Sequence, residues 1–322
     1  MSTIDGSSSM GLSFPAQTFQ KLSPNSYLLR HLQAKEPTRP SARAPEAFRS
    51  PTLHTNALSH AHGSAVVRTG DIAVVCGVRG EILGLIRGEG RTRGRVVVER
   101  NDRVGTSGED EEIKTHALLV PNLELGTGCS RDYHPGPPSD SAQSVAERLR
   151  SLLIETTALI PASTLRIQDS EGETKAYWVL YIDVVCISLD GNILDTAWAS
   201  IVAALRSTRL PKAFWDADKE QVLCDPDQMT YRPLEMRSLA FTASFCVYTH
   251  EGEDGEESWI LSDPDEFEES VCVERVLVCI KEGGMIAKIE KSGGLTDVTN
   301  TIPTCIQRAK KRYETWEKML NE

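Results

Sequence analysis

The order of elements legible in this 322-residue chain predicts an α+β fold of two related β/α lobes. Three observations carry that reading: strand-like runs come in groups, each group is closed by an amphipathic helix, and the grouping occurs twice. In the first half, "GSAVVRTGDIAVVCGV" (63–78), "ALLVPNLEL" (117–125) and "AYWVLYIDVVCIS" (176–188) precede the helical stretch "LDGNILDTAWASIVAAL" (189–205). In the second, "SLAFTASFCVY" (238–248), "SWILSD" (258–263), "SVCVERVLVCI" (270–280) and "MIAKIEK" (285–291) precede a long terminal helix. The organisation that follows is a Ser-rich flexible tail over 1–25 and a first lobe over 26–209 with an inserted loop at 80–116. A connection over 210–237 then leads to a second lobe with the C-terminal helix over 238–322.

Each element has a local reason. "SYLLRHLQ" (26–33) suits a short helix, and the four prolines of 34–51 predict an extended, irregular crossing. Two β-branched runs flank Thr69-Gly70-Asp71, the pattern of a hairpin. The insertion holds Arg87, Arg91, Arg93, Arg95 and Arg100, then the acidic run 109–112. After "HPGPPSD", Ala142, Val145, Ala146, Leu149, Leu152 and Leu153 form a helical stripe, with Ser139 or Asp140 as its cap. The run 176–188 is apolar at nearly every position, which predicts a strand covered on both faces. Leu194, Trp198, Ile201, Val202 and Leu205 share one face of the next helix. Pro211, Pro226 and Pro233 mark a polar connection, and Glu282-Gly283-Gly284 turns a second hairpin. The last helix carries Ile302, Ile306, Ala309, Tyr313, Trp316 and Leu320 at steps of three and four.

Composition bounds the function. The chain is 40% apolar and 25% charged, and it has no apolar run of the roughly 18 residues a membrane helix needs. Its N-terminus lacks the basic start and apolar block of a secretory signal, so a soluble, intracellular protein is expected. The eight cysteines include no CxxC pair and no zinc-type spacing with histidine, which predicts free thiols, mostly buried in strands. No metal site and no cofactor are read from the sequence. A net charge of −11 excludes a broadly basic nucleic-acid footprint, so any RNA contact is local or shared with other chains.

Taken in order, "HGSAVVRTGDIAVVCGV", "VPNLELG…CS", "PGPP", "WVLYIDVVCISLDGNILDTAWASIVAAL", "DP" after a strand and "KSGGLT" before the last helix resemble the RNase PH family. Within it they look most like the RNase PH-type subunits of the eukaryotic RNA exosome ring, over about residues 26–320. The resemblance implies an RNase PH-like fold of ribosomal protein S5 domain 2-like architecture. It further implies a ring of such chains around a channel for single-stranded RNA, S1/KH-type cap proteins and associated hydrolytic nucleases. The compartments implied are nucleus, nucleolus and cytoplasm, with no membrane.

Active relatives degrade RNA from its 3′ end by phosphate attack, which needs cations to hold two anions together and to stabilise the transition state. Their Gly-Thr-Arg at the helix start falls here on Asn192-Ile193-Leu194, followed by Asp195. A further helix arginine of the family falls near Ala142, with Arg148 beyond it. The family's paired acids fall on Glu269 and Arg275, and Glu266, Glu268 and Glu269 are read as a solvated strand-to-turn segment. A leucine in place of the arginine, a carboxylate in the first helical turn and a reversed charge predict a degenerate phosphate site filled from within. The expected role is a non-catalytic ring subunit. The alternatives are an active phosphate-dependent 3′–5′ exoribonuclease and a free-standing scaffold. Candidate RNA contacts are Arg79, Arg87, Arg91, Arg93, Arg95 and Arg131. Solvation of a long surface loop explains the loop arginines equally well. Lys310, Lys311 and Arg312 are assigned to the wet face of the last helix.

Overall fold

The computed structural model describes residues 15–85, 106–130, 136–252, 255–294 and 298–321. Two helices, α1 (Ala16–Leu22) and α2 (Pro24–Leu32), come first and correct the flexible tail assigned to 1–25 from residue 16 onward. Leu28 and Leu32 of α2 are buried with Tyr248, Leu261 and Cys272, a tertiary anchor that a Ser-rich composition conceals. Residues 33–50 form neither helix nor strand, in keeping with their prolines.

Strands β1 (Pro51–Thr55), β2 (Gly63–Thr69) and β3 (Ile72–Gly84) follow. β2 and β3 meet across Gly70 and Asp71, where Gly70 takes φ +61°, a conformation that a Cβ would oppose. Next come α3 (Thr106–Thr115), β4 (Leu119–Leu125), α4 (Asp140–Ser151), α5 (Ala162–Leu165), β5 (Arg166–Gln168), β6 (Thr174–Ser188) and α6 (Ile193–Ser207). The first sheet runs in the order β1-β2-β3-β6-β4, with β5 also on β6. β4 lies parallel to β6 and is the sheet's edge.

The loop assigned to 80–116 is therefore corrected at both ends. Residues 80–84 continue β3 against β6, and α3 occupies 106–115, its acidic residues bound by arginines distant in sequence. Glu112 accepts from Arg166 and from the Tyr177 hydroxyl, while Arg237 pairs with Glu109 and Asp110. The strand 176–188 is buried at successive positions only over 176–180. Beyond that it alternates, with Asp183 and Ile187 exposed.

Ser139 caps α4 by accepting from the Ala142 N–H at 3.2 Å. Ser139→Ala is expected to lower stability by about 1 kcal/mol, measurable as a shifted urea midpoint.

The polar connection assigned to 210–237 is corrected to two short ribbons. β7 (Arg209–Leu210) pairs with β10 (Arg232–Pro233), and β8 (Ala213–Asp216) pairs with β9 (Gln221–Cys224). Strands this short carry no readable alternation. The second lobe holds β11 (Ala240–Gly252), β12 (Gly255–Ser262), α7 (Glu266–Val271), β13 (Glu274–Lys281), β14 (Met285–Ser292) and α8 (Val298–Asn321). Its sheet runs β12-β11-β13-β14, so β14 is an edge.

α6 lies between the two sheets, against β2 and β3 on one side and β11 on the other. All residues 194–205 are buried, not only the stripe through Leu194, Trp198 and Leu205. Ala197, Ala199, Ser200, Ala203 and Ala204 keep the rest of the helix surface thin enough for this close approach. The Trp198 indole donates to the Ala240 carbonyl at 2.9 Å, tying the helix to the second lobe.

α8 buries Cys305, Ala309, Tyr313 and Trp316. Lys310 and Lys311 are exposed, but Arg312 is not, which corrects its place on the wet face. Its guanidinium lies 5.1 Å from the centre of Phe48 and 5.0 Å from that of Trp316, and Nη1 donates to the Arg49 carbonyl at 3.0 Å. All eight cysteines are free thiols, Cys224 exposed and the others buried.

Candidate functional site

The turn that enters α6 abuts the start of α7. Gly191 has φ +66°, and a Cβ there would fall 2.4 Å from the Asp265 carbonyl carbon, so glycine is required on both counts. Asn192 follows in the left-handed region, which asparagine tolerates. Its backbone N–H donates to Glu269 Oε1 at 3.0 Å. Its side-chain Nδ2 donates to Asp195 Oδ2 at 2.9 Å and to Asp263 Oδ1 at 2.7 Å.

Asp195 joins its own helix end, through Asn192, to the second lobe. It accepts from the Ser244 N–H at 2.7 Å and from the Ser244 hydroxyl at 3.0 Å. The carboxylate that takes the backbone N–H of the α6 entry turn is Glu269, from the other lobe, while Asp195 meets the turn only through the Asn192 side chain. Burial pushes both Asp195 and Glu269 above the usual carboxylate range, against the pull of their hydrogen bonds.

Arginines from the proline-rich crossing hold this assembly together. Arg49 grips Asp263 in a two-pronged pair, Nε to Oδ2 at 3.0 Å and Nη2 to Oδ1 at 2.7 Å, and its backbone N–H adds a third bond at 2.9 Å. Arg49 Nη1 also reaches Asp190 Oδ2 at 3.1 Å. Arg39 pairs with Glu268 at 3.2 Å with both side chains fully buried. Burial alone would raise Asp263, but the bonds and charge of Arg49, helped by Asn192, outweigh it and hold the group below the ordinary range.

Glu266, Glu268 and Glu269 are not a solvated strand-to-turn segment. They form α7, whose Asp265 and Glu268 exchange reciprocal cap bonds at 2.9 and 3.0 Å. The spacing Asp-x-x-Glu carried that signal in the sequence.

A cleft of about 940 Å³ opens in front of the first turn of α6. β4 and the start of α4 form one wall, and β11 and β13 form the other. Ala142, Arg148, Asn192, Ile193, Leu194, Glu269 and Arg275 all line it, so the structure brings the degenerate phosphate and acid positions together. Among the described residues four carboxylates line the cleft, Glu124, Glu266, Glu269 and Glu290, against two guanidiniums, Arg148 and Arg275. Arg148 is bonded to Glu290, with Nε to Oε1 at 3.0 Å, and Arg275 Nη2 donates to the Glu269 carbonyl at 3.0 Å. A divalent cation does not fit here. One carboxylate oxygen is committed to Asn192, a guanidinium stands at the second acid position, and no metal-type cluster occurs among the described residues.

Arg79 lies elsewhere, on the face of the first sheet turned away from α6. It sits 3.3 Å from Glu81 and its guanidinium is 5.6 Å from the centre of the Tyr181 ring. Arg87, Arg91, Arg93, Arg95 and Arg131 lie outside the described residues. Local pattern does not reveal Arg39, Arg49, Asp263 or Glu290, because their partners are distant in the chain and their spacing forms no motif.

A helix held between two sheets, with a two-walled cleft at its N-terminus, defines a bilobal α+β protein whose candidate site lies between its lobes. The chain belongs to the RNase PH family: the 3′ exoribonuclease family, domain 1, matches residues 47–211. It is 32% identical over 313 residues to exosome complex component rrp43 of Schizosaccharomyces pombe, covering 97% of this chain and 100% of that protein. It is 24% identical to exosome complex component Rrp42 of Methanothermobacter thermautotrophicus, covering 86% and 89% respectively. Among solved structures, a chain of an Archaeoglobus fulgidus exosome with RNA bound to the active site superposes with a TM-score of 0.64 at 23% identity, covering 91% of this chain and 97% of that one. A chain of an archaeal exosome core gives 0.63 at 20% identity, covering 94% and 100%. Those two likenesses show the RNase PH-like fold.

Proposed function

We propose that this chain is a ring subunit of an RNA exosome core that performs no phosphorolysis itself and supports 3′-to-5′ RNA processing by assembling the core and guiding RNA. The observation that carries the second half is the bond from the Asn192 N–H to Glu269. An attacking phosphate would have to sit against that carboxylate. Two unit charges about 4 Å apart repel by about 4 kcal/mol at an effective dielectric near 20. The Leu194 side chain offers no compensating charge or donor. Arg275 does carry a positive charge, but its Nη2 is held on the Glu269 carbonyl, and it replaces the second acid.

Ring membership rests on the near full-length similarity to an exosome component and on the surfaces left open. On the edge strand β14, Met285, Ile286 and Ile289 are 63%, 47% and 40% exposed. An apolar, unpaired edge of this kind invites a neighbouring chain. The partners in this reading are other RNase PH-type chains, S1/KH-type cap proteins, hydrolytic nucleases and single-stranded RNA, with Arg79 as a contact from this chain.

Affinity purification of the tagged chain is expected to return RNase PH-type chains in stoichiometric amount, and a free monomer would reject ring membership. The complex is then assayed for release of nucleoside diphosphates from single-stranded RNA with and without inorganic phosphate. Glu269→Ala in this chain is expected to leave that release unchanged. A phosphate-dependent release abolished by the substitution would show an active exoribonuclease.

A further inference from the structure

We infer that the cleft between the lobes binds an extended, basic segment of a partner protein, added as a strand to the free edge of β4. The inference goes beyond ring membership and does not depend on it.

The backbone supplies the first ground. Leu118 O accepts from Leu180 N at 2.8 Å, and Gly126 N donates to Cys186 O at 3.1 Å. In a parallel ladder this fixes the even-numbered residues from 118 to 126 as those bonded to β6. Leu123 and Leu125 then turn their N–H and C=O groups to the open edge, and both line the cleft. Among the described residues no backbone or side-chain group meets them. Unpaired groups two residues apart beside a cavity are the template for strand addition.

Charge supplies the second. Among the described residues the cleft has two more carboxylates than guanidiniums, and Glu290 is already paired with Arg148 and Lys288. Glu124 and Glu266 are exposed, and no cation is paired with either among the described residues. Between them, Val145, Phe245 and Leu277 give apolar lining. An added strand whose lysines or arginines alternate with β-branched residues matches both features. RNA, a polyanion, matches neither.

The test uses the purified full-length protein, with whatever chains co-purify, and fluorescence anisotropy with a labelled peptide of alternating lysine and valine. Expected results are binding at least tenfold tighter than that of the matching glutamate–valine peptide, and at least a tenfold loss when the alternate backbone nitrogens are methylated. Glu124→Lys combined with Glu266→Lys should weaken the lysine peptide at least tenfold, whereas Glu314→Lys on the exposed side of α8 should leave it unchanged. Circular dichroism and co-purification of partner chains verify that the double variant is folded and assembled. Equal binding of the two peptides, indifference to N-methylation, no effect of the charge reversal, or displacement of the peptide by oligo(A) from this chain's cleft would overturn the inference.

Discussion

Asp263→Asn is expected to destabilise the protein by about 3–5 kcal/mol, because it removes the buried counter-charge of the Arg49 guanidinium and leaves only the part-exposed Asp190. The substitution also removes the carboxylate to which Asn192 Nδ2 donates, so the entry turn of α6 loosens with it. Urea unfolding at pH 7 reads the loss directly. Its pH dependence has a defined sign. The folded-state value of Asp263 lies below that of the unfolded chain. Its stabilisation is therefore complete above the ordinary carboxylate value of about 4 and is lost as pH falls through the depressed value. The native protein should weaken over that acid window, and Asp263→Asn should remove this residue's share of the slope. An unchanged slope, or a loss below about 1 kcal/mol, would show that the pair contributes little beyond its desolvation cost.

Trp198→Ala is expected to cost about 3–5 kcal/mol, since the indole is fully buried between the sheets and little around it can collapse. Trp198→Phe keeps most of the packing but leaves the Ala240 carbonyl without its donor, for about 1–3 kcal/mol. Hydrogen exchange should locate the damage. Amides near Ala240 in β11 should lose protection in both variants, because the helix links the lobes there. Loosening confined to the first sheet would show that the lobes are held together elsewhere.

The strands and helices with strong periodicity were readable from the local order of residues alone. The hairpin at Gly70, the Ser139 cap, the strand through Val184 and the long final helix all follow from local patterns. What the sequence could not disclose depends on partners far away in the chain. Residues 194–205 look one-sided on paper, yet the alanines opposite Leu194 and Trp198 are small because a second sheet passes there. Arg312 sits among lysines and reads as solvated, but Phe48, Trp316 and the Arg49 carbonyl enclose it. At the site, the positions Asn192, Leu194, Glu269 and Arg275 were identified by resemblance, and the structure places them around one cleft. The pairing of Asn192 with Glu269 was not legible, because neither residue's neighbours hint at a contact across the lobes. Asp195 was legible in part: its place in the first helical turn suggested a role at the helix end, where it accepts from Asn192, but its bonds to Ser244 across the lobes left no local trace.

The two arginine clamps carry a timing penalty for synthesis on the ribosome. Arg49 and Arg39 wait for acids that lie 214 and 229 residues later in the chain. At about 5–20 residues per second, that gap lasts on the order of 10–50 s. Until then Arg39 has no acid to pair with and Arg49 only Asp190 of the first lobe, so the nascent first lobe emerges with one flank open to chaperones.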